Sequence, residues 1–201
     1  MNKQGLKELL EGKMFILASR SPRRAEILKK EDLEFETTFP PNFKEESSAS
    51  DPAEHVLTLS REKALSVSHL FPEGIILGAD TIVVLNGEIL GKPKDKQEAF
   101  CILKKLSGKM HRVYTGITLL NKYNGKMLSD YDCTEVQFNQ LEDKKIIDYV
   151  DTGEPMDKAG AYGIQGMGSF LVEKIQGSLD NVIGLPTSRL KEMLIKIMIN
   201  D

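Results

Sequence analysis

At 201 residues, with 40% hydrophobic and 28% charged side chains, the chain has an ordinary globular composition. It is long enough to bury a sizeable core, as one domain or two closely packed lobes. Its formal net charge of −3 excludes the broad electrostatic grip that holds nucleic acid polymers, so a positive site has to be local.

Within residues 1–13, Leu6, Leu9 and Leu10 recur at helical spacing and predict a short lead-in helix. The apolar run 14–18 predicts a buried strand that empties into a turn. Ser21 then reads as an N-cap, with Pro22 at the first position of a helix running to about Lys30. A second strand is expected over 33–39, and residues 40–50, rich in Pro, Ser and Glu, as an exposed loop. Asp51-Pro52-Ala53-Glu54 is a capping-box variant that opens a helix carrying Val56, Leu59, Ala64 and Val67 at helical period. Ile75-Ile76-Leu77 predicts a buried strand ending at Gly78-Ala79-Asp80-Thr81. Asn86-Gly87 predicts a hairpin between 82–85 and 88–90.

Asp95 to Glu98 caps a further helix, ending near Ser107-Gly108, and long strands are expected over 110–121 and 126–139, joined around Asn124-Gly125. A helix over 142–150, a glycine-rich irregular stretch over 153–169, a strand over 170–175 and a closing helix over 186–199 complete the chain. The mixture predicts an α/β domain on a mixed sheet rather than repeated βαβ units. No run reaches the length of a membrane span, and the polar N-terminus does not read as a signal peptide. Cys101 and Cys133 lack metal-ligand spacing, which predicts a reducing, cytoplasmic address and no disulfide framework.

Chemistry gathers first at Ser19-Arg20-Ser21-Pro22-Arg23-Arg24. Three arginines and two serine hydroxyls surround a helix start whose unpaired N–H groups favour anions, which suits a polyphosphate; the alternative is a basic cap exposed to water. Asp80, beside the small Gly78 and Ala79, reads as a metal ligand or general base, or else as a turn aspartate satisfying local N–H groups. Glu45 and Glu46 are either further oxygen ligands for a magnesium-like ion or a solvated acidic loop. Lys63 and Lys92 are each either a surface charge or a group that neutralises a phosphate oxygen. Combined with the first basic turn they match phosphoryl-type displacement, which needs positioning and charge compensation more than covalent help.

Between 153 and 166, four glycines lie among Asp157, Lys158, Tyr162 and Gln165, as expected of a loop folding closely around a ligand. Neither Rossmann nor P-loop spacing is present there. His55, His69 and His111 form no spaced cluster, and His111, alternating with Val113 in a strand, is expected to be structural.

In this order the segments resemble the Maf family of nucleoside triphosphate pyrophosphatases, from Phe15 to about Leu194. The matching pieces are L-A-S-x-S-P-R-R at 17–24, R-E-K-A at 61–64, G-A-D-T-I-V at 78–83, G-K-P at 91–93, S-G and H-x-V-x-T-G within 107–116, E-P-x-D-K-A-G-A-Y-G-I-Q-G at 154–166 and N-V-x-G-L-P at 181–186. The resemblance implies a single Maf-like domain with 1–13 as an N-terminal extension. Its fold would be that of the inosine triphosphate pyrophosphatases, an elongated mixed sheet flanked by helices with two lobes around a cleft. It also implies metal-dependent cleavage between the α- and β-phosphates, with Mg2+ or Mn2+ as cofactor, a nucleoside triphosphate as substrate, and a homodimer.

By the same resemblance Asp80 is the proton acceptor and, with Glu46, a metal ligand. Ser19, Arg23, Arg24, Lys63, Lys92, Asp157 and Lys158 are expected to bind substrate. Arg23, Thr81 and Gln165 match the branch that acts on dTTP and UTP. Uracil and thymine present two carbonyl acceptors flanking an N3–H donor, an edge that a primary amide can meet from both sides. A nucleotide-binding regulator of cell division with little hydrolysis, and a 7-methylguanosine triphosphate pyrophosphatase, are the rival readings.

Overall fold

The computed structural model describes residues 5–40, 43 and 47–198. In chain order it contains α1 (Leu6–Leu9), β1 (Phe15–Ala18), α2 (Pro22–Lys30), β2 (Glu36–Thr38), α3 (Pro52–Val67), β3 (Ile75–Leu85), β4 (Glu88–Leu90), α4 (Lys96–Leu106), β5 (Met110–Asn121), β6 (Met127–Phe138), α5 (Asp143–Asp151), β7 (Val172–Gln176), α6 (Leu179–Ile183) and α7 (Thr187–Met198). Short 3₁₀ turns cover Ser68–Leu70, Glu154–Asp157, Ala159–Ala161 and Gly166–Leu171.

The strands form one seven-stranded mixed sheet along the path β2-β1-β3-β5-β6-β7, with β4 paired to β3 off that path. β1 lies parallel to both β2 and β3, whereas β4 runs antiparallel to β3 and β7 to β6. Among the described residues, no helix is long and apolar enough to cross a membrane. Among the described residues, neither Cys101 nor Cys133 is in a disulfide.

The chain divides into two compact units. The first comprises Met1–Asp80, Thr115–Asp132 and Gly184–Asp201, and one of its apolar clusters joins Ile16, Ala18, Ala64, Val67 and Ile76. The second comprises Thr81–Tyr114 and Cys133–Ile183, with a larger core of Val83, Leu103, Leu106, Val136, Phe138, Ile146 and their neighbours.

Several local signals act as their chemistry requires. Asp51 and Asp95 accept from the backbone N–H groups of Glu54 and Glu98, three residues on, and so start α3 and α4. Asn86 and Gly87 both take positive φ, 51° and 83°, as a two-residue hairpin loop of right-handed twist demands.

Elsewhere the structure departs from expectation. β3 does not end at Gly78–Thr81 but runs unbroken to Leu85, so Asp80 sits in mid-strand. Gly78 is a point of close approach: a Cβ there would lie 2.1 Å from the carbonyl oxygen of Ser60 and 2.8 Å from the nitrogen of Ala64. Helix α3 therefore rests directly on the strand. Gly116 on β5 is the same device, facing the Val56 carbonyl oxygen at 2.4 Å. β2 is shorter than expected, β7 begins two residues later, and α6 occupies a stretch with no predicted element.

His111 is buried, its Nε2 2.8 Å from the hydroxyl oxygen of Tyr162, with its ring edge-on to Phe138 and Tyr162. It packs as a core side chain. Burial pushes its pKa down to about 4, so the folded protein keeps it neutral where the unfolded chain would protonate it. Between pH 6.5 and 4 the unfolded state therefore binds more protons, and stability falls as pH falls. Denaturant titrations from pH 7 to 5 should show a slope contribution approaching ~1.4 kcal/mol per pH unit that His111→Asn removes.

Candidate active site

Within the first unit, the site begins where β1 ends. The last parallel pair between β1 and β3 is Ala18 with Gly78, so Ser19 and Asp80 both lie just beyond it, at the carboxyl edge of neighbouring parallel strands. In α/β sheets this edge is where ligands are taken. β1 passes through Ser19–Ser21 straight into α2, with Pro22 at the first helical position. Ser21 occupies the N-cap position, yet its side chain makes no capping bond. Ser19 Oγ instead accepts from the Ser21 N–H at 3.1 Å and from Arg24 Nη1 at 3.1 Å.

Arg24 is buried and donates through Nε to the Gly184 carbonyl at 2.8 Å, which fixes its guanidinium relative to the turn. Arg23 is half-buried. Arg20, the third arginine of the turn, is exposed; its guanidinium lies 4.6 Å from the ring centroid of Phe39 and donates to the Pro40 carbonyl.

The second feature of this unit is an ion pair. Lys63 Nζ stands 2.6 Å from Asp80 Oδ1, and the two side chains keep only 3% and 8% of their exposure. The sequence made Lys63 a candidate phosphate contact; the structure places its ammonium on Asp80. The pairing has a signature in the sequence. Lys63 falls on the same buried face of α3 as Val56, Leu59, Ser60, Ala64 and Val67. A lysine in that stripe needs a buried counter-charge. Gly78 makes the contact reachable by letting Ser60 to Ala64 settle against β3.

Asp80 keeps a second, distinct oxygen. Oδ2 is buried and, among the described residues, has no hydrogen-bond partner. A buried carboxylate oxygen left in this state is unusual, and suits a proton in flight or a hard divalent cation. Among the described residues, no group of three or more His, Cys, Asp or Glu side chains is placed to hold a metal. Glu45 and Glu46 lie outside the described residues.

Within the second unit, Thr81 is half-buried, Lys92 exposed and Pro93 buried. The Gly91 carbonyl accepts from the Gly160 N–H at 3.0 Å, which puts the backbone beside Lys92 against the Lys158–Ala161 turn. Lys158 Nζ bonds Asp157 Oδ1 at 2.7 Å and the Glu154 carbonyl at 2.5 Å. Gln165 is exposed and makes no side-chain cap to the turn that follows it.

The glycines of this stretch have a different reason from the one expected. A Cβ at Gly160 would meet Val83 Cγ2 at 2.7 Å, one at Gly163 the Lys158 Cε at 2.9 Å, and one at Gly168 the Gly163 carbonyl oxygen at 2.3 Å. They let the chain close on its own residues. At the centre lies a pair that the sequence did not single out. Tyr149 Oη donates to Glu154 Oε1 at 2.9 Å and accepts from the Gly163 N–H at 3.1 Å, while Glu154 Oε2 accepts from the Met167 N–H at 3.2 Å. Burial pushes the Tyr149 phenol well above its ordinary range, so it remains a donor.

The model of the Maf family, described as Maf-like protein, matches residues 14–197. A protein of Thermoanaerobacter sp. (strain X514) named dTTP/UTP pyrophosphatase is 51% identical over 180 residues, covering 89% of this chain and 94% of its own. One of the same name from Carboxydothermus hydrogenoformans is 51% identical over 174 residues, covering 87% and 93%. Among solved structures, the Staphylococcus aureus Ham1 protein matches with a TM-score of 0.54 at 13% identity, covering 92% of this chain and 98% of that one. That last likeness is one of fold.

Proposed function

This chain belongs to the Maf family, and from that premise we propose that it hydrolyses dTTP and UTP to the nucleoside monophosphate and pyrophosphate. The observation that carries the chemistry is the unpartnered, buried Oδ2 of Asp80, in a carboxylate whose other oxygen is held by Lys63. In this reading Oδ2 takes the proton of the water that attacks the α-phosphate. Lys63 keeps the carboxylate aimed while it does so. The turn Ser19–Ser21 and the start of α2 receive phosphate oxygens, because the N-cap position lacks a side-chain bond and Arg24 is already braced by Ser19 and Gly184. Arg23, Arg24 and Lys92 compensate charge on the departing pyrophosphate.

The carboxylate group also fits a hard cation: Asp80, with Glu46, would hold Mg2+ or Mn2+, whose chemistry there is to neutralise phosphate oxygens and acidify water. Thr81, Asp157 and Lys158 belong to substrate binding, and the Gln165 amide meets the O4/N3–H edge of uracil or thymine. A single Maf-like domain, a homodimer and a cytoplasmic address complete the reading.

Pyrophosphate release from a panel of nucleoside triphosphates tests it directly. UTP and dTTP should be turned over in preference to ATP, GTP and 7-methylguanosine triphosphate, and chelation by EDTA should remove the activity, with Mg2+ restoring it. Binding of UTP without pyrophosphate release, or faster release from 7-methylguanosine triphosphate, would defeat the proposal.

A further inference from the structure

The segment Gly163–Met167 carries Gln165 at its middle, and both of its ends are tied to the same two side chains. The Gly163 N–H is bound by Tyr149 Oη, the Met167 N–H by Glu154 Oε2, and the two acceptors are joined by the Tyr149–Glu154 hydrogen bond. A single polar relay thus spans a loop of five residues. Tyr149 comes from α5 and is buried, its ring edge-on to Phe170 at 6.0 Å, so the anchor rests on a helix instead of on another loop. Glu154 is held through its own backbone as well, since its carbonyl accepts from Lys158 Nζ and its N–H donates to Thr152 Oγ1.

The glycines fit the same arrangement. Gly168 brings the backbone so near that a Cβ would lie 2.7 Å from Tyr149 Oη, and Gly166 takes a φ of 74°, which turns the chain between Gln165 and Met167. Gln165 itself is extended and exposed at the crest of this anchored loop. An exposed amide on a free loop would lose several rotatable bonds on meeting a ligand. One whose backbone is already fixed at both sides loses fewer.

We propose that Tyr149 and Glu154 are positioning residues for nucleobase recognition, acting through the loop they anchor by holding Gln165 in its reading position. The inference rests on the assignment of Gln165 to the base, and it adds two residues that touch neither substrate nor reacting atoms. Because a base contact lies away from the bond that breaks, its loss is felt equally in ground and transition states. The effect therefore belongs in KM, with kcat nearly unchanged.

Tyr149→Phe keeps the ring and removes both hydrogen bonds of the hydroxyl. It should raise KM for UTP by about tenfold, the size expected when a charge-assisted bond and its neighbour are lost, and leave kcat within about twofold. Glu154→Gln should act in the same direction, because its amide can serve only one of its two donor partners well. The decisive measurement is the cycle with Gln165→Ala: the double variant Tyr149→Phe/Gln165→Ala should be no worse than Gln165→Ala alone. Amide hydrogen exchange provides a readout independent of turnover, with Gly163 and Met167 losing protection in Tyr149→Phe while core amides keep theirs. If the two KM effects multiply, or the two amides stay protected, the positioning role is overturned while the base assignment stands. If Gln165→Ala leaves KM for UTP unchanged, the base assignment itself falls.

Discussion

Asp80→Asn should reduce pyrophosphate release from UTP by about 10³-fold, within the range that a positioned general base supplies, while nucleotide affinity changes little. The substitution is nearly isosteric. Its amide oxygen can still accept from Lys63 at the place where Oδ1 now stands, 2.6 Å from the ammonium. What replaces Oδ2 is an N–H2 group, which cannot take a proton from water. Single-turnover pyrophosphate release and direct titration of UTP onto the variant separate the two effects. Full turnover in the variant would remove Asp80 from the chemistry. Equal loss of turnover and binding would make it a substrate ligand instead of a base.

How far this site was legible in the sequence varies by residue, and the reasons are local. Turn and cap chemistry was legible because it is short-range: Asp51 and Asp95 each bond a backbone N–H three residues on, and Asn86-Gly87 needs only its own φ values. Helix α2 began and ended where Pro22 and Lys30 suggested. The position of Asp80 is not legible in the same way, because Gly78 carries two opposite meanings. A glycine after three apolar residues reads as the end of a strand, yet here it admits the backbone of a helix 14 to 18 positions earlier in the chain.

The same ambiguity affected the 153–168 stretch, where glycines that suggest a bound ligand accommodate Val83, Lys158 and Tyr149. The relay through Tyr149 and Glu154 was illegible for a third reason. It joins α5 to a loop through backbone N–H groups, which every residue carries and no sequence pattern marks. Helix α6, five residues long, is too short to show a period. The Lys63–Asp80 pair stands apart from these, since its lysine lies in phase with the apolar face of α3. A charge at such a position announces that a partner must exist, though not which.

That partnership makes the second large effect one of stability. Lys63→Met keeps a flexible, unbranched side chain on the buried face of α3 but strips Asp80 of its counter-charge. Breaking a buried pair by removing one partner costs about 3–5 kcal/mol, chiefly because the remaining charge is uncompensated. For a protein of this size that corresponds to a fall in Tm on the order of 10 °C. The control is the double variant Lys63→Met/Asp80→Asn, in which neither member of the pair carries a charge; it should regain most of the loss despite carrying one more substitution. The two ideas about Lys63 then part cleanly. A lysine whose task was to meet a phosphate would, when replaced, raise KM and leave the melting transition of the free protein where it was. A lysine whose task is to hold Asp80 lowers the transition before any nucleotide is added, and neutralising its partner repairs the fold without repairing the chemistry.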